Sequence, residues 1–283
     1  MQILKLDGLC KQYPAFRLEN VSFSMEAGTI MGLIGRNGAG KTTTLKSMLH
    51  LVHPDAGTVT ICGLDMDKDE REIRSRIGFV SGGASYYQRK RLRELTDVTK
   101  RFYPGWDDGR YARLVRQFSL DESKRICELS EGMKVKYQLA AAMSHRAELL
   151  ILDEPTSGLD PVSRDELLDT FRTLCEQEGV SILFSTHITS DLDACADTIT
   201  YIQNGRVAVS ADKKTLTDAY LSLQGEDAAC SAALRARLIG ARSHKGELEA
   251  LLHKEDAALA GGFTLAPANL EQIMVHLERE ADV

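Results

Sequence analysis

Hydrophobic and polar residues alternate in two stretches near the start of the chain, residues 2–6 and 16–25, and this period of two predicts strands. The run at residues 149–152 is continuously apolar, and residues 180–184 are apolar except for Ser181, as expected for strands buried on both faces of a parallel sheet. Between these regions, apolar residues instead recur every three or four positions, which predicts helices. We therefore expect an α/β fold with a helical subdomain at about residues 84–146.

The pattern changes near residue 211, where a domain spanning residues 1–211 is expected to end. Just before that point, Asn204-Gly205 stands between two predicted strands and indicates a two-residue hairpin turn. Residues 212–283 are predicted to form a small C-terminal α+β appendage. Its predicted elements are helices at 228–237 and 270–277 and short strands at 238–241 and 248–252.

The stretch from Gly35 to Thr43 begins with eight residues that fit the phosphate-binding pattern G-x-x-x-x-G-K-[ST]. A predicted strand precedes it and a predicted helix follows it, and this context disfavours the alternative of a glycine-rich turn with a chance lysine. Glycines let backbone N–H groups approach a phosphate, and the N-terminus of a helix favours anions. Lys41 can supply a positive charge for the β- and γ-phosphates, and the Thr42 hydroxyl can bind Mg²⁺.

Two carboxylates, Asp153 and Glu154, end the apolar run at 149–152. Acidic residues in this position lie where open α/β sheets bind ligands. Asp153 can hold Mg²⁺ directly or through water, and Glu154 can orient or deprotonate an attacking water. The structural alternative is a pair of acids that cap the following helix. His187 comes just after the next buried strand and can hydrogen-bond a γ-phosphate, although a lone histidine is more often structural.

Three further features have both a functional and a structural interpretation. Ser130, in the sequence Leu129–Met133, precedes a predicted helix and is either a phosphate contact or a plain N-cap. Asp160 precedes Pro161 and is expected to cap the next helix. Tyr13 can stack on a nucleotide base or be an ordinary edge-strand tyrosine, and the local sequence favours neither interpretation.

Composition narrows the possible partners and the compartment. The 283 residues are 43% hydrophobic and 27% charged with a formal net charge of -6, which argues against nucleic acid as the main partner. No apolar run reaches the roughly 18 to 20 residues of a membrane-spanning helix, and the first residues do not resemble a secretion signal. The six cysteines are scattered without a C-x-x-C pair, so we expect free thiols and a cytoplasmic location.

Taken together, these motifs resemble the ATP-binding cassette family, specifically the nucleotide-binding subunit of an ABC transporter, over about residues 2–210. The resemblance implies a phosphate-loop ATPase core with an antiparallel β arm and a helical subdomain. The matching motifs are the Walker A loop at 35–42, the signature motif at 129–133, the Walker B strand at 149–154, the D-loop at 157–160 and the switch histidine at 187. The segment at 102–107 further resembles the ATPases of small bacterial ABC-2 exporters.

The resemblance implies that two chains, expected to be identical, pack head to tail around ATP and Mg²⁺ and drive a separate integral membrane permease from the inner face of the cell membrane. It assigns the catalytic roles to Glu154 and His187, and the metal contacts to Thr42 and Asp153. The signature residues Ser130, Glu131 and Gly132 serve the nucleotide of the partner chain, and Asp160 belongs to the D-loop. The implied ATP-binding residues are Tyr13, Gly35, Asn37, Gly38, Ala39, Gly40, Lys41, Thr42 and Thr43.

The sequence departs from the family pattern in two places. The signature reads Leu-Ser-Glu-Gly-Met, where the common form has glycine third and glutamine fifth. Gly82 stands where the family usually has a glutamine that touches Mg²⁺ and water, and Gln88 lies six residues further on. Either Gln88 substitutes for that glutamine or the coupling to the partner differs. Two alternative functions are a soluble ATPase outside transport and a nucleotide-sensing regulator.

Overall fold

The computed structural model describes residues 1–81 and 87–281, and the chain divides into two compact units, Met1–Ser210 and Ala211–Val283. The division falls one residue before the predicted boundary. Gly82, the residue at the predicted glutamine position, and residues 84–86 of the predicted helical subdomain lie outside the described residues.

The strands and helices up to the junction of the two units follow one another in the expected α/β order. They are β1 (Gln2–Tyr13), β2 (Phe16–Glu26), β3 (Ile30–Ile34), α1 (Lys41–Met48), β4 (Ala56–Ile61), β5 (Leu64–Asp65), α2 (Glu70–Arg76), β6 (Ile77–Ser81), α3 (Leu92–Thr99), α4 (Asp108–Gln117), α5 (Glu131–Ser144), β7 (Leu149–Asp153), α6 (Pro161–Glu178), β8 (Ser181–Thr186), α7 (Thr189–Cys195), β9 (Thr198–Gln203) and β10 (Arg206–Asp212).

The central sheet has six strands within the described residues, in the order β10-β9-β3-β8-β7-β6, and the pairs from β9 to β6 are parallel. Every residue of β7 and β8 is buried, which explains the apolar runs Leu149–Leu152 and Ile182–Phe184 within them. Ile34 pairs with Thr186, and Asp153 pairs with Ser185. The strand ends therefore lie at one edge of the sheet, and the segments that follow them start from that edge.

The antiparallel β arm has the order β2-β1-β4-β5. Strands β1 and β2 form a hairpin in which Tyr13 pairs with Phe16. Alternate residues of both strands, including Leu6 and Val21, point into a hydrophobic cluster that also contains Leu183 of the central sheet. Burial of apolar area is the main favourable term in folding, so this cluster holds the arm onto the sheet.

The predicted helical subdomain contains α3, α4 and α5. A buried group of three hydroxyls joins one residue from each helix: Thr96 Oγ1 lies 2.7 Å from Tyr111 Oη and 3.2 Å from Tyr137 Oη. Buried hydroxyls require partners, and these three residues satisfy one another. Asp107 caps α4 by accepting a hydrogen bond from the Arg110 amide.

The second unit is an α+β fold, as predicted. Its elements are α8 (Lys213–Asp218), β11 (Tyr220–Glu226), α9 (Ala232–Arg235), β12 (Ile239–His244), β13 (Glu247–His253), β14 (Thr264–Pro267) and α10 (Leu270–Ala281). The described strands form an antiparallel sheet in the order β12-β13-β11-β14. The helix expected over residues 228–237 is reduced to α9, because the Ser231 hydroxyl caps a new helix start by accepting from the Leu234 amide.

The predicted Asn204-Gly205 turn is confirmed, and it connects the arm to the phosphate loop. Both residues have positive φ, 48° and 76°, as a two-residue hairpin turn requires. The Gly205 carbonyl accepts from the Glu19 amide of β2 at 2.8 Å, and the Gly205 amide donates to the Ala39 carbonyl at 2.9 Å. One glycine thus supports the loop that begins at Gly35.

We expect Gly205→Ala to destabilise the protein more than Gly63→Ala, because only the first adds a steric clash. Both glycines have φ near 76°, but a Cβ at residue 205 would lie 1.9 Å from the Arg17 carbonyl oxygen, whereas the position at residue 63 is open. The extra loss in free energy of unfolding should be about 1–3 kcal/mol. Urea denaturation of both variants measures it, and equal losses would contradict the described packing.

Candidate active site

The phosphate loop needs its glycines for two separate reasons. Gly38 and Gly40 have φ of 86° and 114°, a region that side chains other than glycine rarely adopt. At Gly35 a Cβ would lie 2.3 Å from the Ile202 carbonyl oxygen, and at Gly40 it would lie 2.8 Å from Cζ of Phe16. The loop therefore passes close to β9 and to the arm before α1 begins at Lys41.

Lys41 holds a buried positive charge inside this loop. Its side chain is 5% exposed, and Nζ donates to the carbonyl oxygens of Gly35 at 2.7 Å and Arg36 at 3.3 Å. Nζ also lies 3.2 Å from Oε1 of Glu154. A buried ammonium group needs such partners, because an unpaired charge in a low-dielectric site is strongly unfavourable.

Oxygen ligands suited to a divalent cation converge beside the loop. The Thr42 hydroxyl donates to Oδ1 of Asp153 at 3.0 Å, and the buried Ser185 hydroxyl donates to the same oxygen at 2.7 Å. The Ser185 oxygen in turn accepts from the Glu154 amide at 2.9 Å. Hydroxyl and carboxylate oxygens are the ligands that Mg²⁺ prefers, so the Thr42 and Asp153 pair fits this ion.

Glu154 lies between two cationic or potentially cationic side chains. Its Oε2 is 2.9 Å from Nδ1 of His187, while Oε1 faces Lys41. The Glu154 backbone has a φ of 50°, an unfavourable conformation for a non-glycine residue that is found at functional sites. His187 is 41% exposed and Glu154 is 22% exposed, so both can reach a ligand at the surface of the loop.

Asp160 caps α6, as its position before Pro161 predicts. Its Oδ1 accepts from the amides of Val162 and Ser163, both at 3.1 Å. A hydrogen bond from the Ser163 side chain, together with these amides, lowers the pKa of the Asp160 carboxyl. The D-loop therefore carries an ionised carboxylate at the start of a long helix.

The signature segment forms the N-terminus of α5, where Leu129 and Gly132 are buried. The Ser130 oxygen accepts from the Met133 amide at 3.2 Å, so the N-cap interpretation is confirmed. Ser130 and Glu131 are exposed. A Cβ at Gly132 would make only ordinary contacts, at 3.6 Å to Leu159 and 3.8 Å to Ser163. The packing within this chain therefore does not require a glycine at position 132.

Comparisons with known proteins point to one family. A profile of the ABC transporter family matches residues 18–157. The ABC transporter ATP-binding protein YtrB of Bacillus subtilis (strain 168) is 30% identical over 207 residues, which cover 73% of this chain and 70% of YtrB. The chain belongs to the ABC transporter ATP-binding family.

One further relative and one solved structure extend the comparison for this ABC protein. Nod factor export ATP-binding protein I of Burkholderia lata is 37% identical over 194 residues; these cover 67% of this chain and 64%, just under two thirds, of the relative. A dimeric structure of the cassette MJ0796, in a post-hydrolysis state with ADP and phosphate, matches with a TM-score of 0.63. It is 22% identical and covers 74% of this chain and 98% of the solved one, which shows the fold.

The family places the chain among the ATP-binding cassette ATPases, and the predicted fold class is confirmed. The structure brings Lys41, Thr42, Asp153, Glu154 and His187 into one group of contacts at the edge of the parallel sheet. In the rest of the loop, Asn37 is exposed and Thr43 is half-buried. Within the described residues, no helix is both long and apolar enough to cross a bilayer.

Phe16 is a candidate site residue that the sequence patterns did not predict. A cavity of about 700 Å³ lies beside Gly38, and its lining includes Phe16, Arg17 and Arg206. Tyr13 is half-buried and lies opposite Phe16 in the β1–β2 hairpin, with the Lys11 ammonium 5.9 Å from its ring centre. The signal for Phe16 was its position directly after the hairpin turn, which brings its ring against Gly40.

Gln88, the alternative to the expected glutamine at position 82, lies in the helical part of the ABC protein. It is half-buried, and its carbonyl oxygen accepts from the Cys127 amide at 3.0 Å. The backbone around Gln88 is thereby held against the segment that leads to the signature motif.

Proposed function

We propose that this ABC protein hydrolyses ATP as one half of a cassette dimer, expected to be a homodimer, and drives a separate membrane permease. The observation that carries the proposal is the position of Glu154, whose two carboxylate oxygens face Lys41 and His187 at the end of β7. A base positioned beside a phosphate-binding lysine is what hydrolysis of a γ-phosphate needs.

The residues fit ATP and Mg²⁺ by their chemistry. The loop offers the N-terminus of α1 and the Lys41 ammonium to phosphates, and the cavity beside Gly38 leaves room for the rest of a nucleotide. Thr42 and Asp153 would hold the metal, with oxygen ligands already adjacent to each other. When bound, Mg²⁺ neutralises charge on the phosphates.

The ion pairs of the site suggest how the residues act when ATP binds. Lys41 and Glu154 are paired, so a γ-phosphate that binds Lys41 competes with the Glu154 carboxylate. Glu154 then turns from Lys41 to an attacking water, orients it and accepts its proton. In the described structure, His187 lies within hydrogen-bond distance of Glu154. When ATP binds, His187 donates a hydrogen bond to a γ-phosphate oxygen instead. Each group keeps a partner of opposite or complementary charge throughout.

The signature segment supports the dimer. Ser130 and Glu131 are exposed at a helix N-terminus, and Gly132 is a glycine that the chain's own packing does not require. A glycine in a helix lowers stability by about 1 kcal/mol relative to alanine. We therefore expect that Gly132 is needed for a contact with another molecule. We infer that Ser130 and Gly132 approach the phosphates bound by a partner chain, as in the family's head-to-tail arrangement.

Transport is supported by the relatives, which include a Nod factor export ATP-binding protein. We therefore infer an exporter ATPase of the ABC-2 type, bound to the inner face of the cell membrane through a permease, with no nucleic acid partner.

The groove beside α2 that includes Arg74, Phe102 and His145 is exposed and has a volume of about 1160 Å³. Phe102 is 75% exposed there.

We expect Glu154→Gln to lower kcat for ATP hydrolysis by about 100- to 10,000-fold, because it removes the base but keeps the shape. ATP binding should persist, and dimers should accumulate in MgATP. Glu148→Gln, at the opposite end of the same strand segment, is the matched control and should retain turnover. Phosphate release and light scattering measure the two effects, and unchanged turnover in Glu154→Gln would remove the assignment of the base.

We also expect a polytopic membrane protein to copurify with the tagged chain from native membranes in mild detergent, in a stoichiometric amount. That protein is the permease of the proposal, and adding it back in vesicles should stimulate ATP hydrolysis. Mass spectrometry of the purified material checks this. Recovery of soluble proteins alone would favour the non-transport alternative and leave the ATPase assignment intact.

A further inference from the structure

A buried carboxylate outside the nucleotide contacts joins the two segments that carry the catalytic pair. Asp191, in α7, has no solvent-exposed surface. Its Oδ2 accepts from the Thr156 hydroxyl at 2.8 Å and from the Thr186 hydroxyl at 3.0 Å. Thr156 follows Glu154 by two residues, and Thr186 directly precedes His187.

The second oxygen of the same carboxylate holds the end of the D-loop. Asp191 Oδ1 accepts from Nε of Arg164, and Arg164 also donates to the Ser190 hydroxyl at 2.8 Å. The Arg164 amide donates to the Asp160 carbonyl at 3.0 Å, within the first turn of α6. The D-loop is therefore attached to Asp191 at both ends, through Thr156 before it and Arg164 after it.

The Thr186 hydroxyl extends the network around His187. It donates to Asp191 and accepts from the Ile188 amide at 3.0 Å, so the backbone is fixed on both sides of the histidine. The charge of Asp191 is balanced by Arg164, whose side chain is 24% exposed. Buried networks of this kind hold one geometry when every member is satisfied.

We propose that Asp191 is a positioning residue for ATP hydrolysis. Through Thr156, Thr186 and Arg164, it fixes the relative positions of Glu154, His187 and Asp160. Two bridges connect the segment after β7 to the segment after β8: the solvent-exposed Glu154–His187 contact and the buried Thr156–Asp191–Thr186 contact. The first opens when both catalytic side chains turn to the nucleotide. The buried contact through Asp191 stays in place and limits the positions that the Glu154 and His187 side chains can reach. This inference rests on the proposed catalytic roles.

Thr156→Val and Thr186→Val test the proposal, since valine keeps the shape and removes the hydroxyl. A displacement of about 1 Å at a reacting group costs on the order of 100-fold, so we expect each variant to lower kcat by at least about 10-fold with KM for ATP within about twofold. Because both hydroxyls act through one carboxylate, the double variant should fall well short of the product of the two single losses. Thr156→Ser and Thr186→Ser should restore kcat.

Thr170→Val is the matched control, because its hydroxyl donates within α6, to the Glu166 carbonyl at 2.8 Å. It should leave kcat unchanged and behave additively with either test variant. Thermal unfolding separates the positioning effect from a general loss of folded protein. Test variants with the kcat of Thr170→Val, or with losses that serine does not restore and that follow the fall in Tm, would overturn the proposal. Unchanged turnover in Glu154→Gln would overturn the proposed base instead.

Discussion

The structure depends on pairing charges at the edge of the parallel sheet where the central strands end. Lys41 is 5% exposed, and the Asp191 carboxylate is completely buried. Each of these buried charges needs a partner of opposite charge. The free-energy cost of burying an isolated charge is far larger than the gain from any single contact in the core. Glu154 partners the first and Arg164 the second. The parallel sheet makes these pairs possible by ending its strands at the same edge.

These pairs prepare the site for a polyanion. In the proposed mechanism, a γ-phosphate replaces the Glu154 carboxylate beside Lys41, so nucleotide binding exchanges one charged partner for another instead of burying a new charge. The exchange also releases the carboxylate at the moment when water must be activated. The Asp191 carboxylate is bound by Thr156 and Arg164, which lie outside the phosphate loop, so in the proposed mechanism this pair is not exchanged and holds the D-loop while the catalytic pair rearranges.

Much of the fold follows from local patterns. The apolar run before Asp153 predicts a buried strand because both faces of a parallel strand are covered, and Asn204-Gly205 predicts its turn because both positions need positive φ. The phosphate-loop glycines are likewise dictated by the backbone they form. Strand β11 was not predicted, because its sequence is mixed and its pairing with β13 and β14 is a tertiary effect.

The site residues that the sequence patterns did not predict escaped prediction for one physical reason. Asp191, Thr156 and Thr186 are short polar residues that in sequence are typical of turns and helix caps. Only the folded chain, in which Asp191 of α7 contacts the last residue of β8 and a residue that follows β7, turns them into one buried network. Phe16 similarly became a candidate contact only when the hairpin folded its ring against Gly40.

The most direct test of the account is to mix two inactive variants, because the central claim is that each ATP lies between the phosphate loop of one chain and the signature of the other. Lys41→Ala disables the loop, and Gly132→Asp places a negative charge where the partner's phosphates should lie. A mixed dimer contains one site with both defects and one intact site. The account predicts that the mixture regains ATPase activity that neither variant has alone. Full activity in Gly132→Asp alone, or no recovery once mixed dimers are demonstrated, would contradict it.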